Sequence, residues 1–345
     1  MKKVLLAAIL VLMIGAFTAC NDDTITINVF NWGDFIDPET ITMFTEETGI
    51  RVVYTTYASN EEMYTRVVYG GADFDVLVPS DYMIERMIEE GRLSRINWDN
   101  IPNRSYIDPK FWDLAFDPNN EYSVPYFWGT FGILYNTTMV DQVVDSWAIL
   151  WDKQFAGQIF MYDIARDTFA VAQKLLGYSI NSTDMGELER ARDLLIEQGP
   201  LVRAFQGDQN KDSMINREGA LATVYSGCAM WSISQNPELH YVVPNEGTQL
   251  FFDSFVIPST SQNQEAAEAF INFMTRPDIA LMNTLYVGFS TTNAGAFAML
   301  PVEKQNDPIY WPSDYIVAKS EVFVDLGDFR EHLERAFAEV LLSIR

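Results

Sequence analysis

An α/β protein of two interleaved lobes, each a β-sheet flanked by helices, is the fold that the sequence predicts, and three observations lead there. The chain has 345 residues, 48% hydrophobic and 21% charged, enough to bury cores in two domains of ordinary size. From Thr24 onward short β-branched runs alternate with amphipathic helical stretches, the rhythm of βα units around largely parallel sheets. No Gly/Ser linker, internal repeat or low-complexity tract divides the chain, so the lobes are expected to exchange chain more than once rather than follow one another as separate beads.

Residues 1–19 stand apart from this pattern. Lys2-Lys3 followed by an apolar run to Ala19 has the layout of a secretory signal and is too short to span a bilayer comfortably. It ends in Phe17-Thr18-Ala19-Cys20, which resembles the bacterial lipobox, although Phe17 stands where leucine is usual. Cleavage before Cys20 and acylation of its sulfur would leave residues 20–23 as a lipidated tether and hold a periplasmic chain at the membrane. An ordinary signal peptide with an incidental cysteine is the alternative. The other cysteine is Cys228, so the mature protein holds no structural disulfide and its stability must come from its core.

The elements follow in order. Residues 24–30 alternate as a strand, and Asp37-Pro38 then supplies an N-cap and a proline at the first helical position, with Ile36 and Ile41 at hydrophobic-staple spacing. That helix is expected to run to Thr48 and stop at Gly49. A strand over 50–57 leads to Ser59-Asn60-Glu61-Glu62, a capping-box pattern opening a helix that ends at Gly70-Gly71. Residues 74–78 read as a buried strand, turned by Pro79-Ser80-Asp81 into a helix ending near Gly91. Open α/β sheets bind ligands beyond the carboxyl ends of their strands, which puts residues 32–34 and 80–82 on the expected rim. Past a polar stretch at 97–120, a strand over 126–135 and further units around Ile159, Ala220 and Phe251 complete the pattern.

Much chemistry is missing. His240 and His332 are far apart in sequence and without nearby ligand partners, which argues against a zinc or haem site, and neither a dinucleotide fingerprint, a Walker A motif nor a nucleophile elbow occurs. Cys228, within Ser226-Gly227-Cys228-Ala229, reads as a small core residue rather than a nucleophile. An exported chain without catalytic residues points to a binding protein that is not an enzyme and needs no metal or cofactor. Removing Lys2 and Lys3 from the 23 basic residues leaves 21 against 48 acidic ones, a net charge of −27. Such a surface repels nucleic acid and anionic lipid and attracts cations, or serves solubility alone.

Longer stretches carry a specific resemblance. They are 30–36 (FNWGDFI), 44–50 (FTEETGI), 54–64 (YTTYASNEEMY), 75–82 (DVLVPSDY), 116–128 (FDPNNEYSVPYFW), 146–151 (SWAILW), 165–169 (ARDTF), 251–258 (FFDSFVIP) and 270–280 (FINFMTRPDIA). Over nearly the whole mature chain these resemble the periplasmic polyamine receptors of ABC importers. The resemblance implies the type II periplasmic binding fold, with a mixed sheet in each lobe and the ligand in the cleft between them. It implies one lobe from 24–129 with 251–297 and another from 130–250 with 298–345. Its implied partners are putrescine or spermidine, a permease and its ATPase, with the protein itself a monomer.

By motif position, the resemblance assigns a terminal ammonium to Asp34, wall to Trp32 and Phe35, and the cleft edge to Ser80 and Tyr82. It places Asp167 at a family glutamate and Asp253 at the aspartate that receives an inner ammonium, with Tyr225, Phe251 and Phe289 lining the slot. Ile164 stands where the spermidine branch has an acid, for which neighbouring Asp163 is the substitute. These residue types suit the ligand on physical grounds alone. Amines with pKa values near 10.4 are cationic at neutral pH and need acceptors on leaving water. The methylenes between them gain about 0.8 kcal/mol each from an apolar wall, and aromatic faces add cation–π attraction of about 0.5 to 2 kcal/mol.

Each residue also has a plainer reading. Asp34 and Asp167 precede helical stretches and could be caps, and any one ring is more often core than ligand wall. Diamine receptors carry Phe-Phe-Asp as here but place a further acid where this chain has Cys228. Tyr225 replaces an indole, Phe289 lacks a phenol hydroxyl, and a C-terminal glutamine is matched only by Phe323. Fewer polar groups along the slot disfavour the longer triamine, so putrescine is the expected preference, with spermidine also bound. Competing readings are a receptor for another small cationic ligand, a polyamine sensor and an enzyme of the cell envelope.

Overall fold

The computed structural model describes residues 24–71 and 73–343; the leader, Cys20 and the tether to residue 23 lie outside them. The strands are β1 (Thr26–Trp32), β2 (Arg51–Tyr57), β3 (Val76–Leu77), β4 (Ser123–Asn136), β5 (Ile159–Tyr162), β6 (Val202–Gln206), β7 (Leu221–Tyr225), β8 (Leu239–Val242), β9 (Gln249–Val256), β10 (Ser290–Thr291) and β11 (Glu321–Val322). Their path is β2-β1-β3-β9-β4-β7-β5-β6, with β8 and β10 on β4 and β11 on β9.

The helices that position the cavity described below are α1 (Pro38–Thr48), α2 (Asn60–Tyr69), α3 (Asp81–Glu89), α4 (Ala165–Leu176), α5 (Met185–Gln198), α6 (Gln209–Ile215), α7 (Ser226–Gln235), α8 (Gln264–Met274) and α9 (Pro277–Val287). Local signals set many of their ends. Asp37 caps α1 by accepting from the Glu39 amide, and Gly49 closes it at φ 73°, a left-handed conformation that only glycine adopts cheaply. Ser59 Oγ accepts from the Glu62 amide, while Glu62 reaches back to the Ala58 amide at 2.9 Å, one residue before the reciprocal bond of a standard capping box.

The sheet is mixed rather than largely parallel. β1 pairs in parallel with β2 and β3, and β5 with β6 and β7, as βαβ units require. The two long strands break the rule: β4 runs antiparallel to β7, β8 and β9. They do so because β4 joins the two halves of the sheet: residues 123–130 pair with β9, and residues 131–136 with β7 and β8. The ladder between β4 and β9 shifts register between Pro125 and Phe127, where a proline without an N–H bond donor sits inside the strand. Separate cores fill the halves. One packs β1, β4 and β9 against α1 and α8 around Phe44, Phe127 and Phe270, and another surrounds Phe131, Trp147 and Ile159. The C-terminal helix, Phe329–Leu342, lies on α4 and α5 through Leu333, Phe337 and Val340.

Candidate functional site

Between the halves lies a cavity of about 590 Å³, walled by the ends of β1 and β7, the first half of β9, the starts of α3, α4, α6 and α7, and the end of α9. Of the residues singled out in the sequence, Trp32, Asp34, Phe35, Ser80, Tyr82, Asp167, Tyr225, Phe251, Asp253 and Phe289 all line it. Asp163 does not. Residue 164 has extended backbone at φ −135°, ψ 130°, on which neighbouring side chains point to opposite sides. Ile164 faces the cavity and Asp163 is exposed to solvent, so the substitution expected of Asp163 is corrected.

Asp253 lies on β9, 4% exposed, and its Oδ1 accepts from Ser80 Oγ at 2.7 Å across a lone antiparallel bridge between those residues. Burial pushes its carboxyl well above the ordinary carboxylate range, against the Ser80 hydrogen bond that favours the anion, and neighbouring Asp81 adds to the rise. Asp167 sits in the first turn of α4, yet it does not cap that helix, whose N-cap is Ile164. Its Oδ1 accepts from the Tyr225 hydroxyl at 2.9 Å, and Gln249 Nε2 donates to the same hydroxyl oxygen at 3.0 Å. Burial raises the Asp167 carboxyl to about 7, less far than it would without the bonds from Tyr225 and Gln249. Among the described residues neither carboxylate is in an ion pair; Ser80 and Tyr225 are hydroxyl partners only.

A continuous row of rings lines the same cavity. Phe35 meets Phe289 with centroids 5.2 Å apart, Phe289 meets Phe251 at 5.4 Å and Phe251 meets Tyr225 at 5.2 Å, while Trp32 flanks Phe35 at 6.5 Å. Phe35, Phe251 and Phe289 are also buried core residues, so wall and core are one set of side chains. A side chain at Gly227 would bring a Cβ within 2.5 Å of the Phe289 ring, and the close approach of α7 to that ring requires glycine. Trp32 is held from behind by its Nε1 bond to the Val78 carbonyl at 2.8 Å.

Asp34 is not a cap either, since Asp37 fills that role for α1. It has φ 48°, is exposed, and its Oδ2 lies 3.4 Å from Lys211 Nζ. Tyr82 donates its hydroxyl to Glu61 at 2.9 Å, and the guanidinium of Arg166 sits 4.9 Å from the Tyr82 ring centre.

Several lining residues escaped the sequence reading. Asp81 accepts from the Tyr82 amide at 2.8 Å and the Phe252 amide at 3.0 Å, and burial lifts its carboxyl to about 7. Buried Arg166 is anchored with Nη1 on the Val324 carbonyl at 2.6 Å and Nη2 on Asn181 Oδ1 at 3.0 Å, and its charge partly offsets the rise that burial imposes on Asp81 and Asp167. Asp208 and Lys211 enter from the loop after β6 and from α6; a strand end followed by Gly207-Asp208 was the available signal. Asp208 Oδ1 accepts from the Tyr162 hydroxyl at 2.6 Å and lies 3.6 Å from Cys228 Sγ, which places an acid beside the cysteine. Burial and then Asp208 push the Cys228 thiol up, away from the thiolate that a nucleophile needs. Among the described residues no cluster of His, Cys, Asp and Glu could hold a metal ion, and no helix is long and apolar enough to cross a membrane.

Two hydroxyl-held acids in a cavity lined by aromatic rings can receive a cationic, partly apolar ligand. Comparison with known proteins agrees in kind. The profile of bacterial extracellular solute-binding proteins matches residues 39–311. The spermidine/putrescine-binding periplasmic protein of Salmonella typhimurium is 36% identical over 319 residues, 92% of each chain. Among solved structures, a protein of Listeria monocytogenes assigned to a spermidine/putrescine ABC transporter is 43% identical with a TM-score of 0.89, covering 92% of this chain and 99% of its own. The spermidine/putrescine ABC transporter substrate-binding protein PotD of Streptococcus pneumoniae is 40% identical with a TM-score of 0.82, covering 93% and 100%. Cavity, mixed two-part sheet and these similarities lead to one statement: the chain belongs to the bacterial extracellular solute-binding protein family.

Proposed function

We propose that this protein captures a polyamine, putrescine with spermidine also accepted, and delivers it to the permease and ATPase of an ABC importer. The observation that carries the reading is the pair of buried acids, Asp253 and Asp167, raised by burial and without an ion pair among the described residues, in a cavity lined by a row of aromatic rings. A buried carboxyl in that state is waiting for a cation: a ligand ammonium at each restores the anion, and the rings cover the methylenes between. The relatives whose printed names include spermidine and putrescine support the same ligand class. The two lobes are taken as 24–129 with 251–297 and 130–250 with 298–345, closing on the ligand. The mature protein is a monomer held to the membrane through acylated Cys20, exposed to the periplasm. Calorimetry with putrescine, spermidine, cadaverine and spermine tests the assignment. Saturable binding of at least one polyamine with one site per chain is expected, and no heat with any of the four would refute it.

A further inference from the structure

Lys211 reaches the cavity wall from α6, and its ammonium lies 3.4 Å from Asp34 Oδ2, a contact between residues 177 apart in sequence. The lysine side chain is 17% exposed and that of Asp34 81%, so the cation is the sheltered member of the pair. Asp208, also on the wall, is one turn before it. Burial lowers the Lys211 pKa, but Cys228, Asp208 and Asp34 together raise it by more, and the ammonium stays charged at neutral pH.

An ammonium on a four-carbon stem has the chemistry of a polyamine end. The acceptor that Asp34 would offer a ligand is therefore already engaged by the protein's own cation. Of the three acids assigned to ligand ammoniums, two remain free of ion pairs among the described residues, Asp253 with Ser80 and Asp167 with Tyr225, while the lining acids Asp81 and Asp208 are held by two backbone amides and by the Tyr162 hydroxyl. We propose that Lys211 determines specificity, as a built-in ammonium at Asp34 that leaves two cation subsites and selects a linear diamine over longer polyamines. This rests on the polyamine reading above. The third ammonium of a triamine would lie against Lys211, like charge beside like charge in a partly dry cleft, or would have to displace Lys211 from Asp34.

Lys211→Met keeps the apolar stem and removes the charge, Lys211→Gln does the same with a polar end, and Lys211→Arg keeps the charge. Calorimetry of the whole mature chain with putrescine and with spermidine is expected to show tighter putrescine binding by the wild type. In Lys211→Met and Lys211→Gln the affinity ratio should move towards spermidine by about tenfold or more, the size of one partly buried ion pair, and Lys211→Arg should keep the wild-type ratio. Either neutral variant suffices if the other does not fold, as judged by its melting transition. A ratio unchanged within about threefold would overturn the proposal. So would a parallel loss of both amines, which would make Lys211 a strut between the halves. A wild type that binds neither amine would instead sink the polyamine reading on which this one stands.

Discussion

Replacing Asp253 by asparagine separates ligand binding from folding more cleanly than any other single change. The carboxyl is 4% exposed, its one side-chain partner among the described residues is Ser80, and burial already favours its neutral form. A neutral amide of nearly the same shape should therefore leave the empty fold as stable as the wild type. With ligand present the balance reverses, because an ammonium facing an amide in a dry site has lost its counter-charge. Removing one member of a buried ion pair typically costs about 3 to 5 kcal/mol, and about 1.4 kcal/mol is tenfold, so putrescine affinity should fall roughly a hundred- to a thousandfold. Isothermal titration gives the affinity, and a thermal melt with and without putrescine gives the folding control, since a ligand bound only to the native state raises the midpoint. The expected result is an unchanged melt without ligand together with a lost ligand-induced rise. Affinity within threefold of wild type in a folded Asp253→Asn protein would show the aspartate to be structural and the ligand misplaced.

Other outcomes follow from the same geometry. Asp167 and Asp81 are raised from 3.8 to about 7 by burial, so their protonated forms stabilise the ligand-free fold fully below pH 3.8, and that contribution is lost progressively as pH rises to about 7. Melting of the ligand-free protein should accordingly drop between about pH 4 and 7 and level off above, and a flat profile across that range would contradict this. Putrescine requires both Asp167 and Asp253 ionised, so binding at pH 6 should release the Asp167 proton and a contribution from Asp253, seen as a buffer-dependent binding heat, and affinity should rise with pH through 7. Phe289→Leu, which trims one ring of the wall, should weaken binding by a few-fold to about thirtyfold, since a cation–π contact contributes about 0.5 to 2 kcal/mol; a loss as large as that of Asp253→Asn would reverse the assigned roles. With a large negative charge meeting a small polycation, stopped-flow association should slow as salt rises, and a salt-independent rate would leave the acidity to solubility. Detergent partitioning should hold the native protein in the lipid phase and release Cys20→Ala to the aqueous phase, an expectation that recovery of wild type in water would defeat.

What could be read from residue order was whatever neighbours along the chain decide among themselves. Asp37-Pro38 and Gly49 mark the two ends of α1, because a cap, a fixed φ and a left-handed stop act within a few residues. The strand runs and the rim at 32–34 and 80–82 were legible for the same reason, and eight of the ten expected cavity residues fall in the quoted motifs, Tyr225 and Phe289 lying outside them. Only the packed structure decided the rest. The direction of β4 and β9 depends on a strand shared by two halves, which a local pattern of period two does not reveal. That Ile164 and not Asp163 faces the cavity turns on a one-residue phase of extended backbone, set by how β5 pairs with its neighbours. Asp253 meets Ser80 over 173 residues of intervening chain, Asp167 meets Tyr225 over 58 and Asp34 meets Lys211 over 177. The first two pairs form within one half each, where the fold brings distant segments together, and only Asp34 and Lys211 meet across the cavity; the burial that shifts these carboxyls exists only once the chain is packed.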